Sequence, residues 1–390
     1  MNAAGVDLAD VDLFRDGIPH DLFATLRRDA PVSSNGRFWS VVRHVDAVSA
    51  TRDPTLSSNA GIMLFDQPGL VSGDSPHMMI EMDPPQHTRY RRLVNKGFTP
   101  RMVGRLEDHV REISGGFIDR ADAAGTCDFI TDVASQLPMQ VIAELLGVPA
   151  EDRQKVADWS NAVIAFDDEQ PAMAPMAAMY GYSEELAQAK GEAPGDDLMT
   201  ALLDAEVDGE QLSPAEVNLF FLLLAVAGNE TTRTAIGHGM LAFCERPDQW
   251  RRLRADRSLV ATAVEEILRW STPIIHFRRT ATEATELGGQ AISAGERVVV
   301  WYCSANFDED VFDDPMRFDV ARAPNDHVAF GGGGPHFCLG ANLARLEIRV
   351  MFEELLNRFA HVELAGPVER IRSNFTNGLR HMPVKFTRTD

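Results

Sequence analysis

The chain has 390 residues, of which 45% are hydrophobic and 24% are charged. This composition is close to that of ordinary folded proteins, and it excludes a disordered or collagen-like chain. The formal net charge of -21, from 58 acidic and 37 basic residues, argues against a nucleic-acid partner and against anionic membrane surfaces. A small apolar ligand fits these numbers better.

The sequence predicts neither a membrane anchor nor a secretory leader. The longest apolar run, Leu219 to Ala227, has nine residues, whereas a bilayer span needs about 20. The first twenty residues are acidic and lack the apolar centre of a signal peptide, so we expect a cytoplasmic protein. No CxxC pair occurs, which argues against a disulfide framework or a zinc site; the cysteines are Cys127, Cys244, Cys303 and Cys338.

Helical periodicity dominates the chain. Amphipathic spacing predicts helices over 20–29, 100–123, 133–146, 151–166, 213–244, 257–269 and 338–359. Strand-like alternation is confined to 37–42, 292–301 and 383–387. Because no repeat, low-complexity block or linker divides the chain, we predict one domain over 1–390, mainly α with a small β region. An irregular segment over 59–85 is expected to form a lid over a binding site, in an open or a closed state.

A glycine-rich loop carries Cys338. It reads FGGGGPHFCLG from Phe330 to Gly340 and continues into the helix-forming string ANLARLEIRVMFEEL. A cysteine at a helix N-terminus can be held as a thiolate by free amides and the helix dipole, and glycines let the backbone approach a flat ligand closely. The loop therefore suits a thiolate ligand to iron.

Other interpretations of the loop remain open on the motif alone. A phosphate-binding loop would need Lys followed by Ser or Thr, and neither is present. A zinc site would need a second ligand pair to join His336 and Cys338, and none is found. A buried cysteine after a glycine-rich turn is the simplest alternative.

A long helix with polar residues in its apolar part is predicted after Ser213. The string Ser213-Pro214-Ala215-Glu216 is typical of a helix start, and a helix to about Cys244 would be roughly 45 Å long. The string AGNETTR at 227–233 places Glu230 and Thr231 in that helix. The Thr231 hydroxyl could bond back to a carbonyl one turn earlier, and an acid beside a hydroxyl also suits a proton relay to bound dioxygen. The hydroxyl bond to the helix backbone and the proton relay are compatible with each other.

Two spaced pairs of polar residues offer weaker signals. Glu266 and Arg269 share a face of the predicted helix 257–269. His87 and Arg91 share a face of another helix, which follows Asp83-Pro84-Pro85. Arg and His are suitable partners for a cofactor that carries carboxylates.

These strings, in this order, resemble the cytochrome P450 superfamily from about Pro19 to Phe386. The resemblance implies a heme b cofactor whose iron is bound by Cys338, with Glu230 and Thr231 as the acid-alcohol pair on the opposite side of the heme. The propionates would then be held by His87, Arg91, Arg278 and His336. A structural ion-pair triad would consist of Glu266, Arg269 and Arg322.

The chain departs from the usual family pattern at two places. The loop has one more residue between Phe330 and Cys338, which leaves the position of the Phe330 ring over the sulfur undecided. In the long helix, Glu230 stands where many members have Asp. The strings AGNETTR, VEEILRW, WYCSAN and CLGANLAR are similar to the bacterial branch that oxidises sterol side chains, methyl-branched lipids and terpenoids.

The resemblance implies a monooxygenase that inserts one atom of dioxygen into an unactivated C–H bond of an apolar substrate. The lid at 59–82 is expected to wall the pocket, together with Ala227, Ile274, Ile275 and Phe375. A peroxide-driven or isomerising heme-thiolate enzyme is an alternative. So is a heme sensor or carrier, which would not need the acid-alcohol pair.

Electrons would come from a ferredoxin with its ferredoxin reductase, because no flavin or iron-sulfur segment is recognised in the sequence. A basic patch on the thiolate side would attract a small acidic ferredoxin. The expected patch residues are Arg89, Arg92, Lys96, Arg345 and Arg349. The alternative is a solvated basic face without a partner.

Overall fold

A computed structural model describes residues 6–65, 77–123, 125–164, 173–207 and 209–389. Helices dominate these ranges, as the periodicity predicts. In chain order the α-helices are α1 (His20–Asp29), α2 (His44–Arg52), α3 (Gln86–Asn95), α4 (Pro100–Gly104), α5 (Glu107–Ala123), α6 (Gln136–Leu145), α7 (Arg153–Ile164), α8 (Met173–Glu192), α9 (Leu198–Leu203), α10 (Pro214–Glu245), α11 (Pro247–Ala255), α12 (Val260–Ser271), α13 (Tyr302–Ala305) and α14 (Ala341–Arg358).

The strands are short and form small sheets. They are β1 (Val32–Ser34), β2 (Trp39–Val41), β3 (Leu56–Ser57), β4 (Thr126–Asp128), β5 (Glu206–Val207), β6 (Glu210–Gln211), β7 (His276–Ala281), β8 (Thr285–Leu287), β9 (Gln290–Ile292), β10 (Arg297–Trp301), β11 (Phe359–Leu364), β12 (Glu369–Arg370), β13 (Leu379–His381) and β14 (Pro383–Arg388). The largest sheet has the order β1-β2-β10-β7-β3, in which β2 and β10 are parallel. A three-stranded sheet has the order β11-β14-β4.

Helix α10 passes through the centre of the helical part. Its N-terminus is fixed by a capping box in which the Ser213 hydroxyl accepts from the Glu216 amide and the Glu216 carboxylate accepts from the Ser213 amide. The 32 residues of α10 span roughly 48 Å. Helices α6, α7, α8, α12 and α14 all pack against it. The predicted helix 213–244 agrees with α10 within one residue at each end.

Other predicted elements differ from the structure in their boundaries. The stretch 100–123 is divided at Arg105 and Leu106 into α4 and α5, and 133–146 begins inside a π-helical turn, Ile130–Ala134, before α6. The helix expected from Cys338 begins at Ala341, with Gly340 as its N-cap. No helix in the described ranges is both long enough and apolar enough to cross a membrane.

Candidate active site

The glycine loop closes on itself at Cys338. The backbone N–H of Cys338 donates to the carbonyl oxygen of Phe330 at 3.0 Å. The loop lies against the end of α2, where a Cβ atom on Gly334 would come within 2.6 Å of the Thr51 carbonyl oxygen. Gly334 also has a φ of 77°, which favours glycine. The additional residue of this loop is therefore accommodated in a glycine turn, while Phe330 packs against Arg345, with its ring centroid 4.5 Å from the guanidinium carbon.

The thiol of Cys338 lies three residues before the first helical residue of α14. Burial raises the pKa of Cys338 above its ordinary value, whereas the Gly340 backbone amide and the charges of Arg91 and Arg345 lower it. These groups only partly offset the cost of burying a thiolate. Because Cys338 precedes α14 by three residues, it lies close to the helix N-terminus that the sequence predicts but not at its first turn.

A cavity of about 630 Å³ extends from Cys338 to α10 and the lid segment. This volume falls within the range of ligand pockets in proteins, about 300 to 1,000 Å³. Residues from both ends of the expected lid line the cavity, including Ile62, Met63 and Met79. The central part of that lid, 66–76, lies outside the described residues.

Three of the four expected wall residues line the cavity, and one does not. Ala227, Ile274 and Phe375 face it. Ile275 is 1% exposed and packs in a separate cluster with Trp301 and other apolar side chains, so its assignment to the pocket is wrong. Successive side chains of an extended backbone point to opposite sides, and Ile274 is the one that faces the cavity.

Helix α10 continues without a break through the polar string. The Thr231 hydroxyl donates to the Ala227 carbonyl oxygen at 2.9 Å, one turn earlier. Glu230 is 2% exposed, forms an ion pair with Arg233 and accepts a hydrogen bond from the Thr234 hydroxyl at 3.3 Å. Burial raises the pKa of Glu230, while Arg233 and Thr234 oppose that shift. Glu230 and Thr231 both line the cavity.

Asn229, next to Glu230 in the polar string, bonds to a residue of α7. Asn229 is buried, and its amide donates to Asn161 of α7 at 3.1 Å. Asn161 also accepts from Arg233 at 3.3 Å. The polar groups at this point of α10 therefore connect the helix to α7, and Arg233 links the buried Glu230 to that neighbouring helix.

Two of the expected propionate partners, His87 and His336, lie together beside the cysteine loop. Their ring centroids are 4.2 Å apart. Burial is the main cause that lowers the pKa of His87 to about 4 and that of His336 to about 3. Arg91, one turn after His87, donates to the carbonyl oxygens of Pro335 at 3.1 Å and Phe337 at 2.5 Å. This cluster connects α3 to the loop that carries Cys338.

The fourth expected partner, Arg278, is engaged elsewhere. Its guanidinium donates to the carbonyl oxygens of Ala60 and Gly61, and its backbone N–H donates to Ile62 at 2.8 Å. Arg278 therefore fixes the beginning of the lid segment to β7. It also lines the cavity.

The neighbouring Arg279 was missed by the sequence reasoning. It is 4% exposed, and its charge lowers the pKa of both His87 and His336. Its guanidinium donates to the Arg278 carbonyl oxygen at 2.8 Å, and within the described ranges it forms no ion pair with a carboxylate. The doublet Arg278-Arg279 was the available signal, but the doublet alone does not decide which of the two faces the histidines.

The side chains of the expected triad meet in the core. Glu266 accepts from Arg269 at 2.8 Å and from Arg322 at 3.1 Å. Both Glu266 and Arg269 are fully buried. Arg269 also donates to the carbonyl oxygens of Asn306 and Pro315. The triad therefore joins α12 to the irregular segment that precedes the cysteine loop.

The expected basic patch is partly neutralised. Arg345 pairs with Glu265 at 2.7 Å, and Arg349 pairs with Glu107 at 2.6 Å. Arg89 and Arg92 on α3 are exposed, whereas the side chain of Lys96 lies outside the described residues.

Comparison with known proteins agrees with this architecture. The family description "Cytochrome P450" matches residues 176–385. A steroid C26-monooxygenase of Rhodococcus jostii (strain RHA1) is 43% identical, over 98% of this chain and 85% of the relative. A methyl-branched lipid omega-hydroxylase of Mycobacterium tuberculosis is 41% identical, over 98% of this chain and 95% of the relative.

A solved structure has the same fold as this chain. A Mycobacterium marinum cytochrome P450 in complex with pseudoionone superimposes with a TM-score of 0.89 at 40% identity, over 94% of each chain. The chain belongs to the cytochrome P450 family. It is a cytochrome P450 monooxygenase.

Proposed function

We propose that this enzyme uses heme b to hydroxylate an unactivated C–H bond of an apolar substrate of the lipid, steroid or terpenoid type. Dioxygen is the oxidant, and a ferredoxin with its reductase supplies the electrons. The observation that carries the proposal is that Cys338, Glu230 and Thr231 all border one cavity. The substrates in the names of the relatives support an apolar class for this chain.

The residues around the cavity fit a heme, which offers an iron and two carboxylates. Cys338 would bind the iron. His87 is buried, and within the described ranges its Nδ1 has no hydrogen-bond partner. Arg279 has no carboxylate partner there, and Arg91 lies beside the same loop. These groups, together with His336, would hold the propionates, and Arg278 is a weaker candidate because it already binds the lid carbonyls.

A bound heme supplies the activation of dioxygen. Cys338 would bind the iron as an anionic sulfur, because the metal cation would offset the desolvation that raises the pKa of this thiol. The Gly340 amide and Arg91 stabilise the same negative charge. The loop holds the sulfur in place through the Phe330 hydrogen bond.

The acid-alcohol pair supplies protons to the reacting side of the cavity. A rotation about the side chain of Thr231 would exchange its bond to Ala227 for a hydrogen bond to dioxygen in the cavity. Glu230 can then restore the proton on Thr231. Glu230 is paired with Arg233, whose guanidinium also donates to Asn161 of α7.

The presence of this pair at the cavity favours oxygen activation over a heme sensor or carrier, which has no need of protons. It also favours dioxygen over the peroxide-driven and isomerising alternatives. Turnover of a panel of branched lipids, sterols and terpenoids with dioxygen, ferredoxin and reductase should exceed turnover with peroxide. A shift of the heme spectrum from low to high spin identifies the binders before turnover is measured.

The assignment of the iron ligand has its own test. Cys338→Ala should abolish the carbon-monoxide band of reduced thiolate-bound heme. Cys244→Ala is the matched control, because Cys244 is not among the residues that line the cavity, and this variant should keep the band. A thiolate band that persists in Cys338→Ala would show that another residue binds the iron.

A further inference from the structure

Thr376 places a polar atom in a mainly apolar part of the cavity wall. The residue is 3% exposed and lines the cavity next to Phe375. Within the described ranges its hydroxyl oxygen has no hydrogen-bond partner. A hydroxyl that is buried without a partner destabilises the folded protein, and Val would fill a similar shape without a polar atom. A ligand in the cavity can supply the missing partner.

Two other threonines that line the cavity have partners in their own helices. The Thr51 hydroxyl donates to the Val48 carbonyl oxygen at 3.0 Å, and the Thr231 hydroxyl donates to the Ala227 carbonyl oxygen at 2.9 Å. A helix offers its threonines a carbonyl oxygen three or four residues earlier. Thr376 lies outside the helices, in a bridge with another extended segment, so its own chain does not offer a carbonyl in this way.

The same bridge sets the direction of the Thr376 side chain. Thr376 pairs with Ile274 in antiparallel orientation, and residues that are directly paired have their side chains on the same face. Both Ile274 and Thr376 line the cavity. The next residue, Asn377, points away from the cavity, since its amide donates to the Ser271 carbonyl oxygen at 2.6 Å. The hydroxyl of Thr376 is therefore available to a ligand in the cavity.

The segment that carries Thr376 also passes beside the acid-alcohol pair. A Cβ atom on Gly378 would lie 2.9 Å from Oε1 of Glu230. Gly378 follows Thr376 by two residues, and two residues of extended backbone span about 7 Å and return to the same face. A substrate atom that binds to Thr376 would therefore lie near the reacting end of the cavity.

We propose that Thr376 donates a hydrogen bond to a carbonyl oxygen of an otherwise apolar substrate, and thereby selects which neighbouring C–H bond lies next to Thr231. This inference rests on the proposed function. Thr376 brings one O–H group and a ketone brings none, so a single hydrogen bond leaves no proton unpaired. An alcohol brings a second O–H group, and the neighbouring side chains of Ile274 and Phe375 offer it no acceptor.

The test uses menthone, menthol and menthane, which carry a ketone, a hydroxyl or neither on one terpenoid skeleton. Binding to the heme-loaded enzyme is followed by the spin-state shift and by titration calorimetry. Thr376→Val should weaken menthone binding about 2- to 12-fold, which corresponds to one hydrogen bond. Menthane should bind equally or more tightly, because the variant no longer buries an unpaired hydroxyl. Menthol should lose less affinity than menthone.

A longer skeleton provides the same comparison. Hexahydrofarnesylacetone is an acyclic terpenoid ketone, and its alcohol and its alkane are the matched ligands. Thr376→Val should again weaken binding of the ketone and spare binding of the alkane.

Two further variants serve as controls. Thr376→Ser keeps a hydroxyl and should retain most of the affinity for menthone. Thr282→Val is the matched control, because the Thr282 hydroxyl donates to the Thr55 carbonyl oxygen at 3.0 Å and Thr282 is not among the residues that line the cavity. This variant should bind all three ligands as the unaltered enzyme does. An intact thiolate carbon-monoxide band shows that each variant is folded. If Thr376→Val does not fold, Thr376→Ala takes its place.

Parallel changes of menthone and menthane affinity in Thr376→Val would show a merely structural role and overturn the inference. Equal binding by Thr376→Ser and Thr376→Val would do the same, and a larger loss for menthol than for menthone would overturn the choice of a carbonyl. These measurements need neither dioxygen nor electrons, so they separate this inference from the proposed hydroxylation. Where turnover occurs, Thr376→Val should broaden the set of oxidised positions in menthone and leave that of menthane unchanged.

Discussion

The carboxyl group of Glu347 on α14 borders the same cavity as the hydroxyl of Thr231 on α10. Glu347 is 2% exposed, and within the described ranges its Oε2 atom has no hydrogen-bond partner. Burial alone raises its pKa to about 8. No charged side chain of α5, α10 or α12 is among the causes of that shift. Glu347 is therefore protonated in the folded protein at neutral pH.

This buried acid predicts a specific pH dependence of stability. Because the folded-state pKa lies above the unfolded value, the folded protein binds more protons between about pH 4.5 and pH 8. Its stability should therefore fall as the pH rises through this window, by about 1.4 kcal/mol per pH unit at most. Glu347→Gln removes this dependence, so it should raise the melting temperature by several degrees at pH 9 and change it little at pH 5.

A second glutamate on the same helix is the control for this experiment. Glu354 pairs with Arg111 and Arg358, and its pKa is lowered. Glu354→Gln should lower the melting temperature at neutral and alkaline pH, which is the opposite sign. The absence of a carboxylic acid C=O stretch from Glu347 in the infrared spectrum at pH 6 would contradict the assignment.

Replacement of Thr231 tests the acid-alcohol pair. Thr231→Ala should retain heme and substrate binding, because among the residues that the structure describes the hydroxyl bonds to the Ala227 carbonyl of its own helix alone. Protons would no longer arrive in order, so a larger share of the reducing equivalents should appear as hydrogen peroxide. Thr231→Ser keeps a hydroxyl at this place and should restore most of the coupling. Equal ratios of product to consumed reductant in Thr231→Ala and the unaltered enzyme would exclude a role in proton delivery.

We predict different roles for the neighbouring arginines of β7: Arg279 holds the heme, and Arg278 holds the lid segment. Arg279→Gln should weaken heme retention, since the variant loses a buried cation beside His87 and His336. Arg278→Gln should retain heme better, and it should weaken substrate binding, because it loosens the lid segment at Ala60. Heme loss during gel filtration and the spin-shift affinity measure the two effects. The reverse pattern would place Arg278 at the propionates.

Sequence patterns predicted what depends on local chemistry. The capping residues Ser213 and Glu216 predicted the start of α10, and the string before Cys338 predicted a glycine-rich turn. Both features depend on residues near each other in the chain, so that a linear motif is sufficient. The mainly α fold follows from the periodicity of the same sequence.

The features that were missed depend on tertiary contacts. The spacing of Ile274 and Ile275 does not state which of the two side chains faces the cavity, and the doublet Arg278-Arg279 does not state which guanidinium lies beside the histidines. The bridge of Ile274 with Thr376 and the pairing of β7 with β10 set these orientations. Helix α8 was not predicted, because its methionines and alanines surround the helix rather than forming one apolar face.

The buried triad predicts a large effect on stability. Glu266→Gln leaves Arg269 buried without a countercharge, and breaking such a pair costs about 3 to 5 kcal/mol. Thermal unfolding should show a drop of several degrees, and less heme should be incorporated during expression. Glu245→Gln is the control, since the Glu245 side chain, which pairs with Arg246, is 50% exposed and its loss should cost about 1 kcal/mol or less. Similar melting temperatures for both variants would contradict a structural role of the triad.

The last prediction concerns the electron donor. Arg345 and Arg349 are held by Glu265 and Glu107, so attraction of an acidic ferredoxin should depend more on the exposed Arg92 of α3. Arg92→Glu should slow reduction several-fold at low ionic strength, and the difference should shrink as salt screens the charges. Substrate binding should stay the same.

A charge reversal elsewhere controls for net charge. Lys385 is exposed on β14, in the three-stranded sheet, and Lys385→Glu changes the total charge by the same amount as Arg92→Glu. If net charge alone governs association, the two variants will be reduced at equally lowered rates. If α3 forms part of the docking surface, only Arg92→Glu will be slow. Rates that respond to neither substitution nor to salt would show that the donor binds without electrostatic guidance.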